Sequence, residues 1–373
     1  MNSKNVLGIV YSNSYDSSLG SLTARRTMGS VPFCGRYRFI DFTLSNFVNC
    51  GITKVGVAAN SNFRSLMDHV GSGRPWDLSR KMDGLFMLPP YNAASHTEHD
   101  VGSRIAALDR IMDFISTSKQ EYVLLSDSNF IGNIDLSEFF RFHEKSNADI
   151  SLVYCSGKMP KLEDTMVLDT DADGRVKSIS INPKTDADVN YAVNIILIRK
   201  ALLERLIGDA ESFGFTNFEK DIIQRNVNHL NIYGWEFKGW HCTVDSLETF
   251  FSANMALLDK SCRKDLFNPD RPVFTKVRND MPVIYGIGSH TENSLIADGC
   301  IIDGTVKNSI IFRGVRIAKG AVVENSIIMQ DAFVGEDVKL NCVIMDKNSV
   351  ITPKKVLSGD ESYPMYVGKR IVI

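Results

Sequence analysis

The feature that most constrains this chain of 373 residues is a repeat near its C-terminus. The tetrapeptides NSLI, NSII, NSII and NCVI begin at residues 293, 308, 325 and 341, at spacings of 15, 17 and 16 residues. A coil of three short strands, each turning one aliphatic side chain inward, explains this period, so the repeat predicts a parallel β-helix of stacked coils. The alternative fold is an antiparallel sandwich, which four coils of nearly equal length disfavour. Aliphatic residues recur about every six positions: Ile311, Ile317, Val323, Ile328, Val334, Leu340, Met345 and Ile351.

The first 262 residues have a different pattern, in which short apolar strands alternate with amphipathic helices. This alternation predicts an α/β fold with a mostly parallel sheet. The segment DTDADGRV at residues 169–176 predicts a hairpin turn, and Leu247–Lys260 predicts a helix that closes the domain. The predicted strands are Val6–Tyr11, Lys54–Ala59, Tyr122–Ser126, Asp149–Tyr154, Asn194–Ile198 and Leu230–Phe237. The predicted helices are Ile40–Cys50, Phe63–His69, Gly102–Thr117, Leu136–Ser146, Lys200–Ile207 and Phe218–Asn226.

The chain length favours two domains over one. Residues 266–282 contain three prolines and show no amphipathic period, which indicates a linker. We therefore expect an α/β domain over residues 1–265, the linker over 266–282, and the β-helix with a C-terminal tail over 283–373.

Composition excludes several classes of function. The 42 basic and 44 acidic residues give a net charge of −2, so we expect no nucleic-acid or membrane partner. No apolar run approaches the roughly 20 residues that span a bilayer, and the N-terminus lacks a signal-peptide pattern. The seven scattered cysteines indicate reduced thiols, so we expect a cytoplasmic protein. His96 and His99 lie three apart without a third ligand, and no metal site is expected there.

Two long segments resemble a known family. VPFCGRYRFIDFTLSNFVNCGI at residues 31–52 and HVGSGRPWDLSRKMDGLFMLPPY at residues 69–91 resemble blocks of bacterial glucose-1-phosphate adenylyltransferases, also called ADP-glucose pyrophosphorylases. The resemblance covers nearly the whole chain in order. It implies a Rossmann-like nucleotidyltransferase domain followed by a C-terminal left-handed parallel β-helix.

The chain departs from this family at the phosphate loop. Catalytic members follow their first strand with G-G-x-G-x-R-L, whose glycines let backbone amides approach the nucleotide phosphates. Residues 12–20 of this chain are SNSYDSSLG, so side chains such as those of Ser14 and Asp16 fill the approach, and Asp16 would repel a triphosphate. The lysine of the family's K-P-A-V block corresponds here to Met28.

A second departure concerns the metal. Asp127 ends a strand and aligns with the aspartate that binds Mg²⁺ in the family, whereas the second metal aspartate aligns with Thr243. Mg²⁺ is held in such sites by one or two carboxylates and the substrate phosphates, so the loss of one is serious. Asp245 would align with the second metal aspartate only if the alignment were shifted by two residues. An alternative role for Asp127 is an Asx-type turn with Asn129.

Other substrate positions also differ. The lysine that meets the sugar phosphate in the family corresponds to Asn182, and the sugar-hydroxyl loop corresponds to residues 191–195. Gly102 and Ser103 match a Gly-Thr pair near the base pocket, but the family's A-D-A continues here as Arg104-Ile105-Ala106. A helix N-terminus is the simpler role for Ser103.

These differences resemble the second, regulatory type of subunit in the family, the GlgD type. The resemblance implies no catalytic residue, with Asp127 a remnant, and no cofactor. It implies a catalytic subunit as partner, which makes ADP-glucose from ATP and glucose 1-phosphate for glycogen, and a homo- or hetero-oligomer, expected to be a tetramer. The alternative is an active sugar-phosphate nucleotidyltransferase with an altered phosphate loop, which would need Mg²⁺. A β-helix acyltransferase is disfavoured because the only histidine near the coils, His290, precedes them.

Five arginines are candidates for an anion site. In the family, this neighbourhood and the β-helix bind anionic sugar-phosphate effectors, so these side chains are expected at an effector site or at an interface. They are Arg25, Arg26, Arg36, Arg38 and Arg74.

Overall fold

The structure is a computed structural model, and it describes residues 2–89 and 103–373. Thirteen strands precede residue 283 in this part of the chain: β1 (Val6–Tyr11), β2 (Pro32–Phe33), β3 (Tyr37–Arg38), β4 (Lys54–Ala58), β5 (Gly84–Leu88), β6 (Tyr122–Asp127), β7 (Phe130–Gly132), β8 (Ile150–Gly157), β9 (Met166–Thr170), β10 (Val176–Ile181), β11 (Val189–Arg199), β12 (Ile232–Glu236) and β13 (His241–Thr243).

The same part of the chain forms α1 (Phe39–Asn49), α2 (Arg64–Val70), α3 (Arg104–Arg110), α4 (Met112–Ser116), α5 (Leu136–Lys145), α6 (Lys200–Phe213), α7 (Leu247–Ala256) and α8 (Lys260–Leu266). Short 3₁₀ helices span Ser3–Asn5, Asp16–Leu22, Met28–Ser30, Arg74–Trp76 and Gln224–Asn226, and Phe218–Ile223 is a π-helical turn. None of the helices in the described residues is long and apolar enough to cross a bilayer.

A nine-stranded sheet organises the first domain. Its main order is β12-β8-β11-β6-β1-β4-β5, with β9 paired to β11 and β10 paired to β9, and only β10 and β11 run against the other seven strands. All six residues of β1 are buried, because apolar clusters cover both faces of the sheet. The carboxyl ends of β1 and β6 are adjacent, since Tyr11 pairs with Asp127. Ligands of open α/β sheets bind beyond such strand ends.

The six predicted strands are all present, and the predicted hairpin joins β9 and β10. Three predicted helices differ from the structure. The helix expected over residues 102–117 begins at Arg104. It is interrupted at Ile111, where φ is −105° and ψ is 8°. The helix expected over 218–226 is a π-helical turn followed by a 3₁₀ turn. The last predicted helix ends at Ala256, and α8 starts anew because Asp259 caps its first turn.

The C-terminal region is a left-handed parallel β-helix of three five-stranded sheets. All eight aliphatic residues at the predicted spacing are buried inside it. Its fifteen strands are β14 (Ile284–Tyr285), β15 (His290–Glu292), β16 (Leu295–Ile296), β17 (Ile301–Ile302), β18 (Thr305–Lys307), β19 (Ile310–Ile311), β20 (Arg316–Ile317), β21 (Val322–Glu324), β22 (Ile327–Ile328), β23 (Phe333–Val334), β24 (Lys339–Asn341), β25 (Val343–Met345), β26 (Val350–Ile351), β27 (Val356–Ser358) and β28 (Met365–Val367).

The asparagine–serine repeats form the corners of the coils. Asn293, Asn308 and Asn325 have φ angles of 41°, 44° and 45°, a left-handed conformation that asparagine tolerates better than most residues. Each of these asparagines is followed by a serine, whose hydroxyl accepts a hydrogen bond from a backbone N–H of the next coil. For example, the backbone N–H of Ser326 donates to the hydroxyl of Ser309 at 3.1 Å. The repeat therefore marks the position at which one coil is hydrogen-bonded to the next.

The fourth repeat is offset from its predicted alignment. Asn325 is equivalent to Cys342, which has a φ of 52°, and Ile327 pairs with Ile344. The coil step is thus 17 residues, whereas matching the letters of NCVI to NSII predicted 16. The backbone conformation sets the corner, and a cysteine occupies it here.

An apolar cluster joins the two domains. Phe33, Phe39 and Phe250 of the first domain lie in one cluster with Phe312 and Ile344 of the β-helix. The chain between α8 and β14 runs past α1, where the backbone N–H of residue 274 donates to the hydroxyl of residue 45 at 2.8 Å. The β-helix is thus packed on the side of the first domain that carries α1 and α7.

Candidate functional site

A cleft of about 610 Å³ opens beyond the carboxyl ends of β1 and β6. It lies where the sheet topology places a ligand site, and polar side chains line much of it. Its lining includes residues 11–18, 58, 60, 61, 103, 104, 107, 161–164 and 216–219.

The loop after β1 is held by its own side chains. The Asp16 carboxylate accepts the backbone N–H of Met28 at 2.6 Å and the amide of Asn13 at 2.7 Å. Burial raises the pKa of Asp16 to about 6, against these two hydrogen bonds. Tyr15 has a φ of 61°, and its hydroxyl accepts the amide N–H of Asn194 at 3.0 Å. The loop therefore has a fixed shape in which side chains, rather than glycine amides, face the cleft.

Asp127 is buried behind Ser14 and Arg104, two residues that line the cleft, and it accepts three hydrogen bonds. Its carboxylate accepts the hydroxyl of Ser14 at 2.7 Å, the guanidinium of Arg104 at 2.8 Å and the amide of Asn194 at 2.9 Å. The alternative of an Asx turn with Asn129 is not seen in the described residues, where the donors to the Asp127 carboxylate are Ser14, Arg104 and Asn194. Both carboxylate oxygens of Asp127 thus have donors within the protein.

Arg104 is the basic partner of this carboxylate. Its guanidinium lies 2.8 Å from Asp127 and 2.9 Å from Glu219, and it stacks 4.9 Å above the ring of Tyr11. Burial lowers the pKa of Arg104, but the two carboxylates outweigh burial and raise it well above its usual value. Burial also raises the pKa of Glu219 to about 6, while Arg104 opposes that shift. The site thus contains two buried carboxylates around one guanidinium.

This donor set does not suit the Mg²⁺ that the family resemblance associates with the site. The oxygens of Asp127 accept hydrogen bonds from a cation and two neutral groups, and Thr243 contributes a buried hydroxyl with no hydrogen-bond partner in the described residues. Asp245 does not replace it, because its carboxylate accepts the backbone N–H of Lys161 at 2.6 Å and the hydroxyl of Thr249 at 2.8 Å. His96 and His99 lie outside the described residues.

The other predicted substrate positions lie in varied surroundings. Met28 is fully buried in the apolar cluster between the domains. Asn182 is exposed, has a φ of 45°, and is not among the residues that line the cleft. Ser103 stands at the N-terminus of α3, as predicted, but its hydroxyl donates to the carbonyl of Thr216 at 2.6 Å and makes no capping hydrogen bond to the helix. Gly102 lies outside the described residues.

Sequence reasoning missed the ion pairs of Arg104 and the roles of Glu219 and Asn194. The signal for Arg104 was available, since an arginine stands where the family pattern has an alanine. Glu219 gave no such signal, because it is 115 residues away in the chain and approaches Arg104 only through the π-helical turn.

Two of the five candidate arginines connect the domains. Arg26 makes a buried double contact with Asp346 at 2.8 and 2.7 Å. Arg36 makes an exposed contact with Asp298 at 2.6 Å. Each pair joins the first domain to the β-helix.

The other three arginines differ in their surroundings. Arg38 donates to the carbonyl and hydroxyl of Ser65, at 2.6 and 3.0 Å. Arg25 and Arg74 are exposed. Arg26 is close enough to Arg38 for its charge to contribute to the lowered pKa of Arg38, whereas Arg25 and Arg74 lie at the surface.

Two lysines complete a basic cluster around Asp346. Burial and the nearby charges of Arg38 and Arg26 lower the pKa of Lys347 well below its usual value, and they lower that of Lys369. Burial likewise lowers the pKa of Arg38 to about 10, with Asp41 opposing it. We call these four side chains, Arg26, Arg38, Lys347 and Lys369, the basic cluster.

A sheet with a phosphate-loop position and a cleft at its switch point, joined to a β-helix, defines a protein of the nucleotidyltransferase class. Comparison with known families agrees with this. Residues 16–260 match the model described as nucleotidyl transferase, and residues 285–363 match the one described as GlmU-like, C-terminal hexapeptide.

Relatives define the type within that class. The chain is 32% identical to the glycogen biosynthesis protein GlgD of Bacillus subtilis over 98% of this chain and 96% of the relative. It is 35% identical to GlgD of Geobacillus stearothermophilus over 87% and 84%, respectively. It is 29% identical to the glucose-1-phosphate adenylyltransferase of Fervidobacterium nodosum over 93% and 84%. The chain belongs to the glucose-1-phosphate adenylyltransferase family of nucleotidyl transferases, as a member of the GlgD type.

Proposed function

We propose that this chain is a non-catalytic regulatory subunit of glucose-1-phosphate adenylyltransferase that acts in the cytoplasm in glycogen biosynthesis. In this role it activates the catalytic subunit, which makes ADP-glucose from ATP and glucose 1-phosphate. The observation that carries the proposal is the ion pair between Arg104 and Asp127. The names of the relatives, which are glycogen biosynthesis proteins and adenylyltransferases, support the pathway.

The expected loss of catalysis follows from the chemistry of the reaction. Attack of a sugar phosphate on the α-phosphate of ATP is promoted mostly by positioning and by electrostatic stabilisation. Removing one preorganised contact typically costs about 10²–10³ in rate. This chain lacks the glycine loop, one metal carboxylate and the sugar-phosphate lysine, and Asp127 is engaged by Arg104. Even with strong non-additivity, these changes leave negligible turnover.

An exposed apolar surface supports assembly with a partner subunit. Near the first coil of the β-helix, Val277, Met281, Ile284, Tyr285 and Ile287 are at least half exposed. In the described part of the chain, β14 pairs with β17 on one side only, so its other edge offers free backbone groups. We assign this first-coil surface to the contact with the catalytic subunit, in a hetero-oligomer that we expect to be a tetramer.

Mixing tests this proposal. The chain alone is expected to release no pyrophosphate from ATP, Mg²⁺ and glucose 1-phosphate. Adding it to a catalytic subunit is expected to raise the rate and to give a larger particle by size-exclusion mass measurement. Ile287→Asp is expected to abolish both effects because it places a charge in the first-coil surface. Tyr363→Asp, at an equally exposed residue in the last coil, serves as the control and is expected to change neither.

Two results would contradict the proposal. An unchanged rate and mass on mixing would remove the regulatory role. Turnover by the isolated chain that Asp127→Ala abolishes would favour the alternative of an active sugar-phosphate nucleotidyltransferase.

The basic cluster supports an anionic sugar-phosphate effector. Burial is the larger cause of the lowered pKa values of Lys347 and Lys369, and repulsion from the neighbouring cations Arg26 and Arg38 adds to it. A phosphate group would relieve this repulsion and form charge-assisted hydrogen bonds. We place the effector here, between the domains, and not at Arg25 or Arg74.

The effector site predicts opposite effects of one substitution. Lys369→Ala is expected to stabilise the unliganded protein slightly, because it removes a repelled charge, and to weaken binding of inorganic phosphate or a sugar bisphosphate about tenfold. At 100 times the dissociation constant, a ligand stabilises the native state by about 2.7 kcal/mol, which a thermal-shift titration detects. Arg25→Ala is the control and is expected to change neither quantity. Equal phosphate affinity in both variants and the unmodified chain would place the effector elsewhere.

A further inference from the structure

Two buried carboxylates in the cleft share one cation that belongs to the chain itself. The side chains of Asp127 and Glu219 are 1% and 3% exposed, and the Arg104 guanidinium lies within 2.9 Å of both. Buried carboxylates need a cationic partner, because their desolvation is otherwise uncompensated. Among the described residues, Arg104 is the basic side chain that forms an ion pair with both Asp127 and Glu219.

Aromatic rings hold the guanidinium in this position. The ring of Tyr11 lies 4.9 Å and that of Phe218 lies 5.9 Å from its central carbon, distances at which a cation is attracted to a ring. Its Nε and Nη1 atoms are buried and form no hydrogen bond among the described residues, although Nε lies 2.9 Å from Glu219. The guanidinium is thus fixed by charge and stacking, while its hydrogen-bonding capacity is incompletely used.

Without the guanidinium, the two carboxylates would be available to a different cation. Divalent ions such as Mn²⁺ and Mg²⁺ prefer carboxylate, hydroxyl and amide oxygens. Asp127 and Glu219 supply carboxylates, and the Ser14 hydroxyl lies 2.7 Å from Asp127. One +1 charge offsets only half of the two negative charges, whereas a divalent ion would offset both.

We propose that Arg104 is a built-in replacement for a divalent cation, and that removing its guanidinium converts Asp127 and Glu219 into a divalent-cation site. The inference goes beyond the regulatory role, since it concerns the isolated chain and requires no partner. In this arrangement Asp127 serves as a counter-ion of Arg104.

Mn²⁺ binding to the full chain tests the inference. Electron paramagnetic resonance of free Mn²⁺ counts the bound ions. The unmodified chain is expected to show no binding that depends on Asp127. Arg104→Ala is expected to bind one Mn²⁺ per chain at least tenfold more tightly, and Mn²⁺ is expected to raise its melting temperature. Arg104→Ala combined with Asp127→Asn is expected to lose this site.

A charge-conserving variant separates the effect of the cation from the effect of size. Arg104→Lys keeps a positive charge between the carboxylates and is expected to gain no Mn²⁺ site. If Arg104→Ala does not fold without metal, its combination with Glu219→Gln removes the second unpaired charge. That double variant is expected to fold and to bind Mn²⁺ more weakly through Asp127.

Two outcomes would overturn the inference. One is Asp127-dependent Mn²⁺ binding of equal strength in the unmodified chain and in Arg104→Ala. The other is a folded Arg104→Ala chain, or a folded double variant, that binds no Mn²⁺. Neither outcome bears on activation of the catalytic subunit, which the mixing experiment measures separately.

Discussion

Asp346→Ala is expected to lower the free energy of unfolding by about 3–5 kcal/mol, because it leaves a buried arginine without its carboxylate. Asp346 is 1% exposed and accepts two hydrogen bonds from Arg26, itself 3% exposed, and one from the hydroxyl of Tyr366 at 2.7 Å. It is also the carboxylate at the centre of the basic cluster, so its removal leaves Arg26 beside Lys347 and Lys369. Denaturant unfolding followed by fluorescence measures the loss.

Asp298→Ala is the matched control for this variant. Its partner Arg36 also joins the first domain to the β-helix, but both side chains are 41% exposed. Exposed ion pairs contribute about 0–1 kcal/mol, so this variant is expected to unfold almost like the unmodified chain. Equal losses for the two variants would show that burial of the Arg26 pair does not govern the contact between the domains.

Asp127→Ala is expected to destabilise the protein by about 3 kcal/mol. The reason is again a buried partner left behind, since Arg104 would keep only Glu219 while Ser14 and Asn194 would lose their acceptor. The sign of this change in stability distinguishes a structural role of Asp127 from a binding role. A carboxylate kept for binding a metal or substrate lies among groups that it does not stabilise, and its removal often leaves stability unchanged or higher.

Asp164→Ala provides the comparison for Asp127→Ala. Asp164 lines the same cleft but is partly exposed, and its carboxylate accepts the amide of Asn217 at 2.8 Å. Its loss is expected to cost about 1 kcal/mol. If Asp127→Ala were as stable as the unmodified chain, Asp127 would not be needed to compensate the buried charge of Arg104.

The sequence predicted the β-helix because its period is set by the residues that point inward. Each coil repeats the same three inward positions, so spacing alone reveals the fold, and Ile317, Val334 and Ile351 are in register in the structure. The offset at Cys342 escaped prediction for a related reason. The corner requires a left-handed backbone, and the residue letters indicate that conformation only indirectly.

The ion pairs of the cleft were not predictable from local sequence. The local hypothesis paired Asp127 with Asn129, two residues away. Its actual partners lie 23, 67 and 113 residues away and meet it only because β1, β6, β11 and α3 converge at one edge of the sheet. Arg26 and Asp346 are likewise 320 residues apart. The local sequence around a charged residue does not indicate which distant residue of opposite charge will be buried beside it.

Stacking in one dimension has a consequence for the first coil of the β-helix. Within the stack each coil pairs only with its neighbouring coils, so stability accumulates along the stack and an end coil has one such neighbour instead of two. The coil of Ile284 and Tyr285 is such an end, and both side chains are more than half exposed. We therefore expect local opening to begin there in the isolated chain. A partner that covers this end would act as one more neighbour, so ordering of the coil and association with that partner would be a single concentration-dependent equilibrium.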